Sequence, residues 1–416
     1  MILALNGLSA LKVLRHLRQS SQPDLDQLSR ATLPEPDPGE RGRWSQKDII
    51  SFLQPFGCAG TFDDKDPLCA AVPSARDRLR VKGVRNTVYA TGLPSDAFIE
   101  VGRGLYISSP ELLFVELATC MPPEVQLLCG MELCGTFSRD AAAPRNGEVA
   151  YQVPPVTCVE RIRAFVESCR GINGLNQSRE ALEWLLDNAW SPLEAVIAEL
   201  AILPAGMLGY DLWPVDLNLR VETKDGATKA SRVPDLIFRG TDVGLNYDGE
   251  GHLPLQDVVD AAMHVALSPE EKSAEHELSE ALDRVRSGSV SDKRRDRELS
   301  SAGMTVLAMT KEDLYERGGL DQVMRQVIDT IERTGKRRLT KQRALLESPL
   351  LSAMRQELIW SLLPGRIGAE HALVYQELLA PNPDISRYER RATFDGKEWT
   401  IVQQERKDLG VITLKS

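Results

Sequence analysis

Histidine is scarce in this chain, five among 416 residues, and the seven cysteines never form a Cys-x-x-Cys pair. All seven thiols, at 58, 69, 120, 129, 134, 158 and 169, fall in the first half. Cys129 and Cys134 have no histidine near enough in sequence to complete a zinc set, so buried apolar thiols are the expected state. No run of about 18 or more apolar residues occurs, which leaves no transmembrane helix in the pattern. The opening "MILALNGLSALKVLRHLRQ" sets its basic residues after the apolar ones, the reverse of a secretory signal, so the chain reads as cytoplasmic. A basic excess is missing too: the net charge of -10 argues against indiscriminate coating of nucleic acid, though not against one local cationic cleft.

What is present is ample for folding. With 42% hydrophobic residues over this length, the chain can bury a full core and should divide into two or three domains. Three basic clusters stand out, "RDRLRVKGVR" (76–85), "DKRRDR" (292–297) and "RTGKRRLTKQR" (333–343), each readable as a solvated face or as a phosphate-binding strip.

Residues 1–20 carry apolar and basic residues at helical spacing, and "QPDLDQLSRATLPEPDPGERGRW" is rich enough in proline, glycine and charge to read as a tether. The strands "NTVYAT", "AFIEVG" and "GLYISS" follow, then a Ser-Pro helix entry at "SPELLFVELATCM". Residues 156–203 are helical with breaks, and the last helix opens with Ser191 as N-cap, Pro192 and Glu194. "LNLRVET", "VPDLIF" and "DVGLNYDGE" predict a strand meander; a long polar helical stretch, a stop at Gly303 and the apolar strand "MTVLAMT" come next. Past residue 340, an amphipathic helix carries Trp360 as core or docking surface, and "YERRATFDGKEWTIVQQE" predicts a hairpin around Asp395-Gly396.

The order helix, three strands, helix, strand implies an α/β layer with a mixed sheet. In that order Glu194 opens a helix, Asp235 starts a strand and Asp248 ends the next, so the three carboxylates are expected to converge on one cavity within reach of a single hydrated cation. Hydrolysis of a phosphodiester with Mg²⁺ or Mn²⁺ needs such oxygen ligands. His252, four residues after Asp248, suits a general base or a water-orienting role. The same acids also suit plain capping and turn chemistry, since Asp248-Gly249 is a turn signal and Glu194 favours the helix dipole wherever it sits.

Residues 191–317 resemble the restriction-endonuclease-like domains related to very-short-patch-repair endonucleases. The resemblance rests on "SPLEAVIAEL", "VPDLIF", "LNYDGEGH" and "RRDRELSSAGMTVLAMTKEDL", in that order. It implies a mixed-sheet restriction-endonuclease-like core with Asp235 as the main metal-binding carboxylate and Glu194 as an outer acid. Asp248 takes the place of a catalytic histidine, His252 lies near a second, and Asp296 matches an acid that supports the histidine. Glu250 remains as a further carboxylate, and Arg294 and Arg295 are expected to meet nucleic acid. The chain departs from many of these relatives at Asn246, which stands in a glutamate slot and offers only a neutral oxygen. It also lacks the lysine that the wider superfamily places two positions on.

Residues 76–120, through "YATGLPSDAFIEVGRGLYISSPELLFVELA", are similar to abortive-infection antitoxins of the AbiEi type, which implies transcriptional repression and the countering of a toxin. The expected organisation is an N-terminal helix and linker (1–57), an α+β region (58–155), the nuclease-like domain (156–335) and a helical C-terminal extension (336–416). The expected function is a nucleic-acid-associated defence or toxin–antitoxin protein with DNA and a toxin or other protein as partners and no membrane. A non-enzymatic regulator and a partner-binding scaffold are the alternatives.

Overall fold

The computed structural model describes residues 2–415 except 21–27, 37–43, 59, 213, 226–227, 249–254, 268–271, 336–337, 379–387 and 406–411. The chain divides into two compact mixed α/β units. The first comprises Met1–Gly209, Glu357–Thr393 and Thr400–Ser416, the second Tyr210–Gln356 and Phe394–Trp399.

A six-stranded sheet organises the first unit. Its strands are β1 (Leu3–Leu5), β2 (Arg30–Ala31), β3 (Leu68–Val72), β4 (Val84–Val88), β5 (Phe98–Gly102) and β6 (Leu105–Ser108), in the order β2-β5-β6-β1-β3-β4. β1 runs parallel to β6 and antiparallel to β3, while β3 runs parallel to β4. The described residues among the first 57 are therefore part of this unit and not a separate helix and linker: Leu3–Leu5 forms an interior strand, and Arg30 pairs with Ile99 at the sheet edge, while residues 21–27 and 37–43 of the expected tether lie outside the described residues. A three-residue strand is too short to display a period, so the helical pattern after it dominates the reading.

Helix α1 (Gly7–Gln19) follows β1 directly, and α2 (Pro110–Leu117) follows β6 with Ser109 Oγ accepting from the Leu112 N–H. The Glu116 carboxylate of α2 accepts from Gly7 N–H at 2.8 Å, Tyr89 Oη at 2.7 Å and Ser108 Oγ at 2.9 Å. One acid thereby ties the start of α1 to the sheet. Burial pushes its pKa up to about 7 against these donors. Farther along α1, Arg15 meets Glu132 of α3 (Pro123–Leu133) at 2.6 Å with both side chains buried. Arg18 donates to the carbonyls of Glu132, Gly135 and Pro154.

Helix α4 (Pro192–Ile202) packs on α3, with Ala195–Ala198 and Leu200 wholly buried. The apolar density of "LEAVIAEL" commits this helix to the first unit, so the unit boundary falls at 209 and not at 156.

The second unit is built on a four-stranded mixed sheet, β7 (Val215–Leu217), β8 (Leu236–Phe238), β9 (Val243–Asp248) and β10 (Thr305–Thr310), ordered β10-β9-β8-β7. β7 to β9 alternate antiparallel, and β9 and β10 are parallel. Parallel neighbours need a crossover, and α5 (Leu255–Leu267) with α6 (Lys272–Ser301) supplies it. Helix α7 (Gly319–Gly335) buries Leu320, Val323, Met324, Val327, Ile328 and Ile331 on one stripe. Asp321 of α7 receives Tyr210 Oη at 2.7 Å and Arg355 at 2.6 Å, and the guanidinium lies 4.3 Å from the Tyr210 ring centre.

Toward the C-terminus the helices Thr340–Glu347, Pro349–Leu362 and Gly365–Leu378 precede the strands Tyr388–Phe394, Trp399–Glu405 and Ile412–Lys415, which form one sheet. The expected turn lies at Asp395, whose N–H donates to the Glu398 carbonyl. Trp360 is half-buried, 4.7 Å from the His371 ring. Among the described residues no helix is long and apolar enough to cross a membrane.

Candidate functional site

β9 carries the candidate site because it lies in the interior of the second sheet, between β8 and β10. Its apolar half, Val243 to Leu245, is sealed from solvent, and the polar half begins at Asn246, which is 2% exposed. Leu236 of β8 pairs with Leu245 and Ile237 with Gly244, which sets Asp235 opposite Asn246, one step beyond the ladder. A Cβ at Gly244 would stand 2.7 Å from the Leu236 carbonyl oxygen, so glycine permits that close approach.

Two side chains continue the sheet bonding where the ladder ends. Asn246 Oδ1 accepts from the Asp235 N–H at 3.3 Å, and Asp235 Oδ2 accepts from the Tyr247 N–H at 2.6 Å. The neutral amide expected as a weak metal ligand thus lies buried beneath Asp235 and holds its backbone. Asp248 is two residues past Asn246 and so projects from the same side of the strand. Its carboxylate meets the Arg295 guanidinium of α6 at 3.5 Å, and Arg295 also approaches Asp292 one turn earlier at 3.7 Å.

Asp235, Asn246, Asp248 and Arg295 are therefore assembled within one unit. Arg295, expected at a nucleic-acid surface, is half-buried and paired with Asp248, whereas Arg294 and Asp296 are exposed on α6. Glu250 and His252 lie outside the described residues. Glu194 belongs to the other unit. It accepts from the Trp190 N–H at 2.9 Å, while Ser191 Oγ accepts from the Glu194 N–H at 3.1 Å. That is the chemistry of a helix start, and it accounts for an acid at this position without a metal.

Among the described residues no three His, Cys, Asp or Glu side chains are grouped to hold a metal ion. Asp235 and Asp248 are two hard oxygen donors, the type a divalent ion takes, but a guanidinium already neutralises one and a backbone N–H occupies an oxygen of the other. Among the described residues these two acids do not by themselves make up a set that would hold Mg²⁺ or Mn²⁺.

Sequence reasoning missed the Asp248–Arg295 pair. The i, i+3 spacing of Asp292 and Arg295 marks the arginine whose head is drawn toward an acid, and the crossover places α6 beside β9. The same packing leaves Arg294 outward. Comparison with protein-family models, with curated proteins and with solved structures finds no match for this chain.

Proposed function

We propose that this chain is a nucleic-acid-associated protein of the defence or toxin–antitoxin type, in which a nuclease-like sheet binds DNA and its metal-dependent cleavage is impaired. The observation that carries this reading is the Asp248–Arg295 ion pair beside Asn246: the acids of the expected site are matched by internal donors. Further support comes from the chain order β8, β9, α6 and β10 in the second unit, which follows three of the four pieces that carry the resemblance of residues 191–317. Exposed basic side chains of α6, Arg294 among them, supply charge for phosphate contacts. A toxin or other protein partner belongs to the same reading through the antitoxin-like segment 76–120.

The test is a paired assay on the purified full chain. Plasmid and single-stranded DNA are incubated with Mg²⁺ or Mn²⁺, and DNA binding is measured by anisotropy with and without metal. The expected result is salt-dependent binding that ignores metal, with slow cleavage or none. Turnover with Mn²⁺ that Asp235→Ala abolishes would establish an active endonuclease instead. No binding to either DNA would leave a partner-binding scaffold.

A further inference from the structure

The first unit contains a cavity of about 330 Å³. It is lined by Leu3 and Ala4 of β1 and by Ala71 and Val72 at the C-terminal end of β3, together with Pro34, Pro36 and Trp44. The connection from β3 to β4 contributes Arg76, Asp77, Arg78 and Arg80. This segment belongs to the first basic cluster of the sequence, five cationic side chains against one acid between residues 76 and 85.

From these walls we propose that the cavity binds a nucleoside phosphate. The three arginines are exposed, and none of their guanidinium groups has an ion-pair or hydrogen-bond partner among the described residues. Among the described lining residues three guanidinium groups stand against one carboxylate, Asp77, and that cationic excess suits phosphate oxygens, which guanidinium groups can meet in bidentate fashion. The loop that carries them is fixed locally, since Ser74 Oγ donates to Asp77 at 2.6 Å and Asp77 is 8% exposed.

Phosphate alone does not explain the rest of the lining. Trp44 is half-buried, packs on Phe52 with ring centres 6.4 Å apart, and presents an indole N–H without an acceptor among the described residues. A tryptophan beside two prolines offers a flat apolar surface on which a base can stack, a contact that tolerates any base. The cavity lies near the lower end of the ~300–1,000 Å³ range of small-ligand sites, which suits one nucleotide better than a strand. The location agrees as well: ligands of α/β sheets collect beyond the carboxyl ends of strands, and β3 and β4 are parallel neighbours ending here.

The test is calorimetric titration of the full chain with ATP, GTP, CTP and UTP, and separately with adenosine, pyrophosphate and a single-stranded 12-mer. One saturable site is expected for at least one nucleoside triphosphate, with adenosine and pyrophosphate each about tenfold weaker or more. Arg78→Glu and Trp44→Ala should each weaken the triphosphate about tenfold, and Arg80→Glu, at an exposed position, keeps the test sound if Trp44→Ala loosens the fold. Asp235→Ala, in the other unit, should leave the titration unchanged, so this result stands apart from the nuclease-like reading. Absence of saturation at millimolar nucleotide, binding indifferent to both arginine substitutions, pyrophosphate binding as tightly as the triphosphates, or a 12-mer that outcompetes them would each overturn the proposal.

Discussion

The Arg295 guanidinium and the Asp248 carboxylate stand 3.5 Å apart where β9 ends, with side-chain exposures of 18% and 35%. An arginine so placed occupies the charge of a divalent cation. Replacing it by glutamine should release Asp248 and cost stability by no more than about 1 kcal/mol, since partly exposed ion pairs contribute little. Arg295→Gln is then expected to gain thermal stabilisation from Mn²⁺ that the wild-type chain does not show. Identical responses of the two proteins in a melting experiment would mean that the arginine does not guard the acid.

Asn246→Asp keeps an oxygen for the Asp235 N–H and adds a buried charge beside Asp235. In chelator this variant should lose on the order of 2 kcal/mol, the cost of an uncompensated buried acid. Mn²⁺ should restore much of that loss and raise DNA cleavage, and Asp235→Ala in the same background should cancel both gains. Urea unfolding with and without metal reads the first effect, and plasmid nicking reads the second.

Glu116 makes the first unit sensitive to pH. Its ordinary pKa of 4.5 rises to about 7 in the folded protein through burial, so between these values the native chain holds a proton that the unfolded chain has released. The stability it contributes is fully present below about pH 4.5 and is lost as pH rises through about 7, by on the order of 3 kcal/mol. Glu116→Gln should flatten this slope. Urea midpoints measured near pH 5 and near pH 8 decide the matter: parallel curves for variant and wild type would refute it.

Glu199 lies wholly buried in α4, and neither of its carboxyl oxygens has a hydrogen-bond partner among the described residues. Burial, together with nearby Glu124, pushes its pKa well above the ordinary carboxylate value. Glu199→Met conserves approximate volume and removes the unsatisfied group, so it should stabilise the chain by about 1–3 kcal/mol. A lower melting temperature for the variant would show that the carboxyl is used.

Much of the fold was legible because its signals are local. Ser109-Pro110 and Ser191-Pro192 announce helix starts that the structure contains, and the strands around residues 98–108, 236–248 and 305–310 follow from apolar runs bounded by glycine or proline. β1 and β2 were missed, because three and two residues cannot show alternation and their stability comes from partners distant in sequence. At the site, Asp235 opposite Asn246 follows once the meander is accepted. The allegiance of Glu194 does not, since the apolar face of α4 suits either unit and packing on α3 decides it. Nor does the Asp248–Arg295 pair, which depends on the rotation of a 30-residue helix about its axis.

The interior position of β1 also sets a schedule. Leu5 pairs with Ala70 on one side and Ile107 on the other, so during synthesis the segment Leu3–Leu5 waits for residues about a hundred positions downstream. At ~5–20 residues per second, a ribosome takes roughly 5 to 20 s to deliver the second neighbour. Until Ala70 is made this apolar strand has neither edge covered, and until Ile107 is made one edge stays open. Nascent chains stalled before residue 105 should therefore be caught by holdase chaperones and cut readily near Leu3–Leu5, and chains released beyond residue 108 should lose both liabilities together.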